Sequence, residues 1–334
     1  MIRILLLSMC LGVTLLWSKT SSAQDPQYSQ FYSNPMYLNP AFTGNTRGNR
    51  FVANFRNQWP SIPGAFISYS ASYDANVQDL NSGVGLRVNY DKAGTGGLRY
   101  TEINGAYAYT IRISRKVAAR PAISLGYVVR DLDWSKLTFG DQLYTGSNTS
   151  YASGLIREQV TYMDVSSGVL VYGLNFWAGY SVMHLNEPNN SLLDDENRLP
   201  ARHSVHVGYH ISLRRSVKKV DITSLTIAAN YKAQRKWDQF DLGGYFQYKP
   251  LVLGIWYRGL PIIKNNESSA MNHDALIVIV GYDMDRWRFA YSYDMTLSKL
   301  WLNTGGSHEI SLIYEWAKPK RRRRRYIMAP CPQF

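Results

Sequence analysis

Three histidines, His203, His206 and His210, crowd one short stretch and are the first residues to test for metal chemistry. The stretch alternates: Val205, Val207, Tyr209, Ile211 and Leu213 against Ser204, His206, Gly208, His210 and Ser212. That period is a strand's, so His203 and His206 point to opposite faces. His206 and His210 share a face but stand about 13 Å apart, at roughly 3.3 Å per residue. One metal ion cannot span that distance. Asp194, Asp195 and Glu196 are acidic neighbours without the spacing of a calcium loop, and read as a solvated loop. Gly94-Thr95-Gly96-Gly97 precedes a strand rather than a helix, so it reads as a hairpin loop and not as a phosphate cradle. No nucleophile elbow, phosphate-binding loop or paired-cysteine motif occurs. The expectation is a protein that is not an enzyme, with no metal and no cofactor.

The charged residues that remain are arranged by period. Arg87 and Asp91 alternate with Val84, Leu86, Val88 and Tyr90; Asp294 ends the run Trp287-Arg288-Phe289-Ala290-Tyr291-Ser292-Tyr293-Asp294. Arg130, Arg258 and Glu309 sit the same way in their own stretches. Each stretch forms a strand with one apolar and one wet face. The charges are expected on the wet face, paired with one another in a hydrogen-bonded interior network.

The elements that would position them follow from the same pattern. Fourteen candidate strands run from 50–58 to 307–316, including one over 98–112. The N-terminus reads as a secretory signal: Arg3, then a mostly apolar run from Ile4 to Trp17, then Ser21-Ser22-Ala23 as the cleavage site. No later apolar run is long enough for a membrane helix, but strands need only about ten residues each to cross. The expected fold is all-β: a transmembrane antiparallel β-barrel of about 14 strands, an even number as closed bacterial barrels require. The connections sort by parity. Asp131 to Thr161, Leu185 to Ala201 and Leu260 to His273 are long and fall on one end; Gly173-Leu174, Lys249-Pro250 and Met284-Asp285 are short and fall on the other. Long outer loops and short periplasmic turns are the asymmetry of outer-membrane barrels. The apolar faces carry Tyr107, Tyr109, Tyr291, Tyr293, Trp301 and Trp316, side chains that favour membrane–water interfaces.

The expected division is a signal peptide over 1–23, an N-terminal lumen segment over 24–48, the barrel over 49–317 and a tail over 318–334. Within the segment, Pro26, Pro35 and Pro40 forbid regular structure. Tyr28, Phe31, Tyr32, Tyr37, Leu38 and Phe42 are too apolar for a free tail. The segment is expected to pack into the lumen or against its periplasmic mouth as a plug. The formal net charge is +13, of which Lys318, Lys320, Arg321, Arg322, Arg323, Arg324 and Arg325 supply seven with no acid among them. Such a basic run resembles a nucleic-acid patch, but a secreted chain rarely meets nucleic acid, and no such partner is expected. After an even number of strands the tail is periplasmic, where anionic headgroups or an acidic partner face would attract it. Cys331 is the one cysteine after the signal, so no intrachain disulfide can form.

Ordered motifs resemble a known family. Gln27-Tyr28-Ser29-Gln30-Phe31-Tyr32 and Asn34-Pro35-Met36-Tyr37-Leu38-Asn39-Pro40-Ala41-Phe42-Thr43-Gly44 are similar to the opening of PorP/SprF-type proteins. Phe139-Gly140-Asp141-Gln142, Gly179-Tyr180-Ser181, His184-Leu185-Asn186 with Pro188, Tyr257-Arg258-Gly259, Tyr291-Ser292-Tyr293-Asp294, Gly306-Ser307-His308-Glu309 and the ending Cys331-Pro332-Gln333-Phe334 follow in order. The Arg321 to Arg325 run is longer than that pattern. The resemblance implies an outer-membrane protein of a Bacteroidota type IX secretion and gliding system. Its implied partners are outer-membrane lipid, a large secreted surface protein such as a gliding adhesin, secretion components, and a periplasmic peptidoglycan-associated protein. The expected partner surface is the outer mouth, with Phe139, Gly140, Asp141, Gln142, His184, Asn186 and Pro188, braced by Tyr28, Phe31, Tyr32, Pro35, Tyr37, Asn39, Pro40 and Phe42 in the lumen. A porin or hydrophobic-solute channel is the alternative that the same strands allow.

Overall fold

Strands that are apolar on one face and polar on the other can hide one face completely by closing on themselves. The computed structural model describes residues 25–46, 48–133, 136–147, 150, 157–193, 195–215, 221–235, 237–260, 272–297 and 304–317. The strands are β1 (Gly48–Gln58), β2 (Phe66–Val77), β3 (Ser82–Ala93), β4 (Leu98–Tyr109), β5 (Ile111–Arg112), β6 (Ala118–Asp131), β7 (Gln159–Tyr172) and β8 (Phe176–Met183). They continue with β9 (Arg202–Arg215), β10 (Asp221–Gln234), β11 (Trp237–Tyr248), β12 (Leu251–Leu260), β13 (Asn272–Met284), β14 (Trp287–Thr296) and β15 (Ser307–Ala317). Neighbours in sequence pair antiparallel, and β1 pairs with β15, which closes a fourteen-stranded ring.

β5 is the element outside the fourteen. The sequence pattern reads 98–112 as one strand, whereas the structure breaks it at Thr110. Ala108 faces Ala122 and Ile111 faces Ala119, so the register continues across the break and sets Tyr109 opposite Pro121. Proline has no N–H to give to the ladder. Thr110 donates its own N–H to the Asn81 carbonyl at 2.7 Å instead.

Burial is inverted relative to a water-soluble protein. Along β2, Ser68, Ser70, Ser72 and Asp74 are buried while Tyr69, Ala71 and Tyr73 are exposed. Leu86 and Ile255 are 60% and 62% exposed, whereas Arg50, Arg120 and Glu309 are fully buried. An apolar outer band and a polar interior are what lipid outside and protein inside require. Aromatic pairs mark both rims. Tyr314 lies between Trp287 and Trp316 at one end; Tyr69 lies between Phe55 and Tyr90 near the other.

Strands β1, β3, β6, β8, β10, β12 and β14 finish at one end of the ring and give one group of intervals in the sequence; β2, β4, β7, β9, β11 and β13 finish at the other end and give the second. The longest are all in the first group, which the usual asymmetry assigns to the outside. No helix among the described residues is long and apolar enough to cross a membrane. The signal peptide, Asp194, Trp301 and the whole tail, with Arg321 to Arg325, Cys331 and Phe334, lie outside the described residues.

Candidate functional site

The ring encloses residues 25–46, which run from the long-loop end to the short-turn end. Proline and asparagine break this segment into single turns: Phe31–Ser33, Pro35–Leu38 and Pro40–Phe42. Asn39 makes the last junction, accepting the Ala41 N–H at 2.8 Å on its side-chain oxygen. Each turn leaves backbone groups open, and the barrel wall supplies their partners.

At the upper end, Asp25 Oδ2 accepts from Arg202 Nη1 at 2.8 Å and from His184 Nε2 at 3.0 Å. The other ring nitrogen of His184 faces Asp164 Oδ1 at 2.9 Å. With a carboxylate at each nitrogen, the imidazole must donate twice and be charged. Burial opposes that charge, yet Asp25 and Asp164 push the His184 pKa up to about 10. Burial likewise opposes the charge on Asp25, but His184 and Arg202 outweigh it and hold the carboxyl well below its usual range. Tyr37 donates to the Pro26 carbonyl. Its ring lies under the guanidinium groups of Arg87 and Arg202, 5.1 and 5.4 Å from their carbons.

Below this lies a buried ionic cluster built on the β1–β15 closure, where Arg56 stands opposite Glu309. The two oxygens of Glu309 accept the backbone N–H groups of Ser29 and Gln30 at 2.6 and 3.2 Å. Arg56 bonds Asp294 at 2.9 Å and Glu309 at 3.3 Å; Arg258 reaches Asp294 at 3.3 Å and donates to Ser29 Oγ at 2.7 Å. Arg258 also reaches the buried Asp241 at 3.5 Å, so the two arginines are shared among three buried carboxylates. Gln30 adds hydrogen bonds to Ser292 and Ser311.

Beside it the lumen is apolar. Tyr32 meets Trp177, Tyr245 and Trp256 with ring centroids 5.5, 6.5 and 6.2 Å apart, and Phe31 meets Trp256 at 5.3 Å. Without the segment these inward rings would face water. Lower still, Arg87 donates to the Met36 carbonyl at 2.9 Å and pairs with Glu102 at 2.8 Å. Asn39 Nδ2 lies 3.0 Å from His206 Nε2, and Phe42 stacks on the same imidazole. His206 is thus held by the segment, while His203 pairs with Tyr180 at an exposed position. At the lower end Arg120 holds the carbonyls of Ala41 and Thr43, and Asp74 holds Arg50 and the Gly44 N–H.

Two pairs of glycines make room for the segment. A Cβ on Gly83 would lie 2.1 Å from the Thr43 carbonyl oxygen, and one on Gly44, whose φ is +68°, would lie 2.4 Å from Gly83 Cα. A Cβ on Gly168 would lie 2.1 Å from the Asn39 side chain, and one on Gly179 would strike His206.

Above Asp25 the lumen opens into a cavity of about 550 Å³ at the long-loop end. Trp59, Tyr100 and Trp237 wall it, with Asp91, Asp238 and Arg130 among its charged groups. Arg130 donates to the Asn190 carbonyl at 2.8 Å, and Ser68 donates to Asp91.

Of the residues singled out from sequence, Tyr28, Phe31, Tyr32, Pro35, Asn39, Pro40 and Phe42 are buried in the segment and Tyr37 is half-buried. Arg87, Arg258, Asp294 and Glu309 form its contacts, whereas Asp91 and Arg130 line the cavity above. Phe139 to Gln142 build the start of a short outer helix, Gly140–Thr145, with Gln142 Oε1 accepting the Phe139 N–H at 2.8 Å. Asp141 accepts from Ser150 at 2.8 Å. His184 is buried rather than displayed. Asn186 accepts from the Val165 N–H and donates to the Met163 carbonyl, covering the edge of β7 beyond the short β8. Pro188 accepts the Leu199 N–H within the 184–201 loop. The most exposed apolar groups of the outer helix, Leu143 at 77% and Tyr144 at 93%, were not singled out. Two adjacent apolar residues directly after Asp141 and Gln142 were the available signal. Asp25, Arg56, Asp74, Glu102, Arg120 and Arg202 were also missed. Among the described residues no group of three or more His, Cys, Asp or Glu side chains is placed to hold a metal ion.

A family model described as "Type IX secretion system membrane protein PorP/SprF" matches residues 20–314. No curated protein matches the chain in sequence. Solved structures similar to it include the P. putida toluene transporter TodX, at 12% identity over 84% of this chain and 93% of that one, with a TM-score of 0.49. The Acinetobacter baumannii outer membrane protein Omp33 aligns at 7% identity over 82% and 100%, with a TM-score of 0.45. The CymD monoaromatic hydrocarbon channel aligns at 10% identity over 86% and 93%, with a TM-score of 0.41.

Proposed function

The chain belongs to the PorP/SprF family of type IX secretion system membrane proteins, and on that premise we propose that it is a closed receptor barrel that holds a secreted surface protein at the outer mouth. It is an outer-membrane β-barrel of type IX secretion; the receptor role is our reading. One observation carries it. Residues 25–46 fill the lumen with buried ionic and aromatic contacts on every side, leaving a cavity open at the long-loop end.

In this reading residues 25–46 are a permanent plug and the barrel does not conduct. The aromatic and charged walls of the 550 Å³ cavity, together with Leu143 and Tyr144, form the surface that receives the partner. Aromatic anchors in a recess with a polar rim are the usual make-up of an energetic interface. Phe139 to Gln142, His184, Asn186 and Pro188 serve as supports: they fold the loops that carry the surface. The role is structural, without catalysis. The basic tail follows β15 at the short-turn end and would meet anionic headgroups or a periplasmic peptidoglycan-associated component there.

Deleting the gene should abolish surface display of one secreted protein, and restoring it with the Leu143→Ser, Tyr144→Ser double variant should restore the barrel but not full display. Display that survives deletion, with only solute uptake changed, would favour a transport channel instead.

A further inference from the structure

We propose that the chain begins on the outside of the cell: whatever precedes Asp25 leaves through the outer mouth, which makes the mature N-terminus an extracellular site that aminopeptidases and amine-directed modifying groups can reach. The direction of the luminal segment carries this. Asp25, Pro26 and Gln27 line the cavity at the long-loop end. Asp25 is fixed there by Arg202 and His184, and Gln27 Nε2 donates to Gln239 Oε1 at 3.1 Å. The other end of the segment lies at the short turns. The Gly44 N–H donates to Asp74 Oδ2 at 2.7 Å, and Asn76 Nδ2 donates to the Thr46 carbonyl at 2.7 Å, just before β1 begins at Gly48.

Counting crossings gives the same answer. β1 starts where β15 ends, at the short-turn end, as an even ring of wall strands requires. The luminal segment adds one further crossing, so the two ends of the chain fall on opposite sides of the membrane. A return path through the lumen is blocked. Below Asp25 lie the Tyr37 ring against two guanidinium groups, the backbone of Ser29 and Gln30 on Glu309, and Tyr32 against Trp177 and Trp256. Above Asp25 about 550 Å³ stands open.

The same contacts set where access stops. An aminopeptidase adds water across the first peptide bond, releasing one residue and leaving a new amine on the chain. It needs backbone that can be drawn out to it. Asp25 is tied by two charge-assisted partners, and the Pro26 carbonyl accepts from Tyr37. Trimming from outside therefore ends with Asp25 as the first residue, and the ionic border of the plug survives it.

The test uses intact cells that carry the full-length protein. In a Gln24→Cys, Cys331→Ser variant, a membrane-impermeant maleimide should label residue 24 equally before and after the outer membrane is permeabilised. The unsubstituted protein, whose one cysteine after the signal is Cys331, should be labelled only after permeabilisation. Aminopeptidase added to intact cells should leave a chain that starts at Asp25, read by mass. Labelling of residue 24 that appears only with permeabilisation would overturn the exit and put both ends in the periplasm. Erosion past Asp25 would overturn the stop. Should Gln24→Cys disturb removal of the signal, an epitope inserted between Gln24 and Asp25 decides the matter: antibody should bind it on intact cells, and binding only after permeabilisation would overturn the proposal.

Discussion

The lower lumen and the outer mouth are built from the same strands and treat their polar groups in opposite ways. In the lower lumen Arg50, Arg56 and Arg258 each meet a buried carboxylate, and the inward aromatic rings of Trp177 and Trp256 are covered by Tyr32. At the mouth Asp91 and Asp238 line open space, Tyr144 stands in solvent, and the walls are rings without a covering segment. The first region pairs its charges and covers its rings internally. The second presents aromatic and charged groups that another molecule could satisfy. The contrast divides the barrel along its own axis into a filled region and an open one, with Asp25, His184 and Arg202 at the border; in the proposed reading the first holds and the second recognises.

The sharpest way to break the comparison is to unbalance the lower region. Arg56→Met removes the guanidinium shared by Asp294 and Glu309 and leaves three buried carboxylates with one arginine. The expected loss is about 3–5 kcal/mol, seen as a lowered unfolding temperature and lost heat-modifiable gel mobility. Gly83→Val should act on the segment more than on the wall. Its Cβ would meet the Thr43 carbonyl, so a cost of roughly 1–3 kcal/mol is expected, with residues 25–46 newly open to protease in an otherwise folded barrel.

The border responds to pH. His184 has a folded pKa of about 10 against 6.5 for the free side chain, so its stabilisation is complete below 6.5 and lost as pH rises through about 10. Asp25 is shifted the other way, so its share is present above 3.8 and lost in acid below that. The unfolding midpoint should therefore fall as pH approaches 10. His184→Gln should remove that alkaline step and leave the acid one. Smallest in stability is the change at the mouth. Leu143→Ser with Tyr144→Ser should alter stability by under about 0.5 kcal/mol while partner retention at the cell surface falls.

The same contrast decides how much was legible in the sequence. The wall was, because a two-residue period is local: Val84 to Asp91 and Trp287 to Asp294 each announce their faces without knowing their neighbours. The segment was legible as apolar and proline-broken. Its partners were not. Arg56 meets Glu309 only because the first strand closes against the last, and Asp25 meets His184 across 159 residues. His184 looked like a loop residue available to a partner, because nothing local records that Asp164 and Asp25 take both its nitrogens. The inward apolar patch at Trp177 and Trp256 was hidden too, since β12 is apolar on both faces there. At the mouth, motif residues such as Gln142 and Asn186 proved to hold backbone in place, and exposure, which a sequence does not print, marked Tyr144 instead.

Current through single barrels in planar bilayers tests the closed lumen most directly. The intact protein should show no steady conductance, and a variant lacking residues 25–46, if it still folds as judged by gel mobility, should show discrete open channels. A steady ohmic current from the intact protein would contradict a lumen sealed by its own segment and return the barrel to the transport reading.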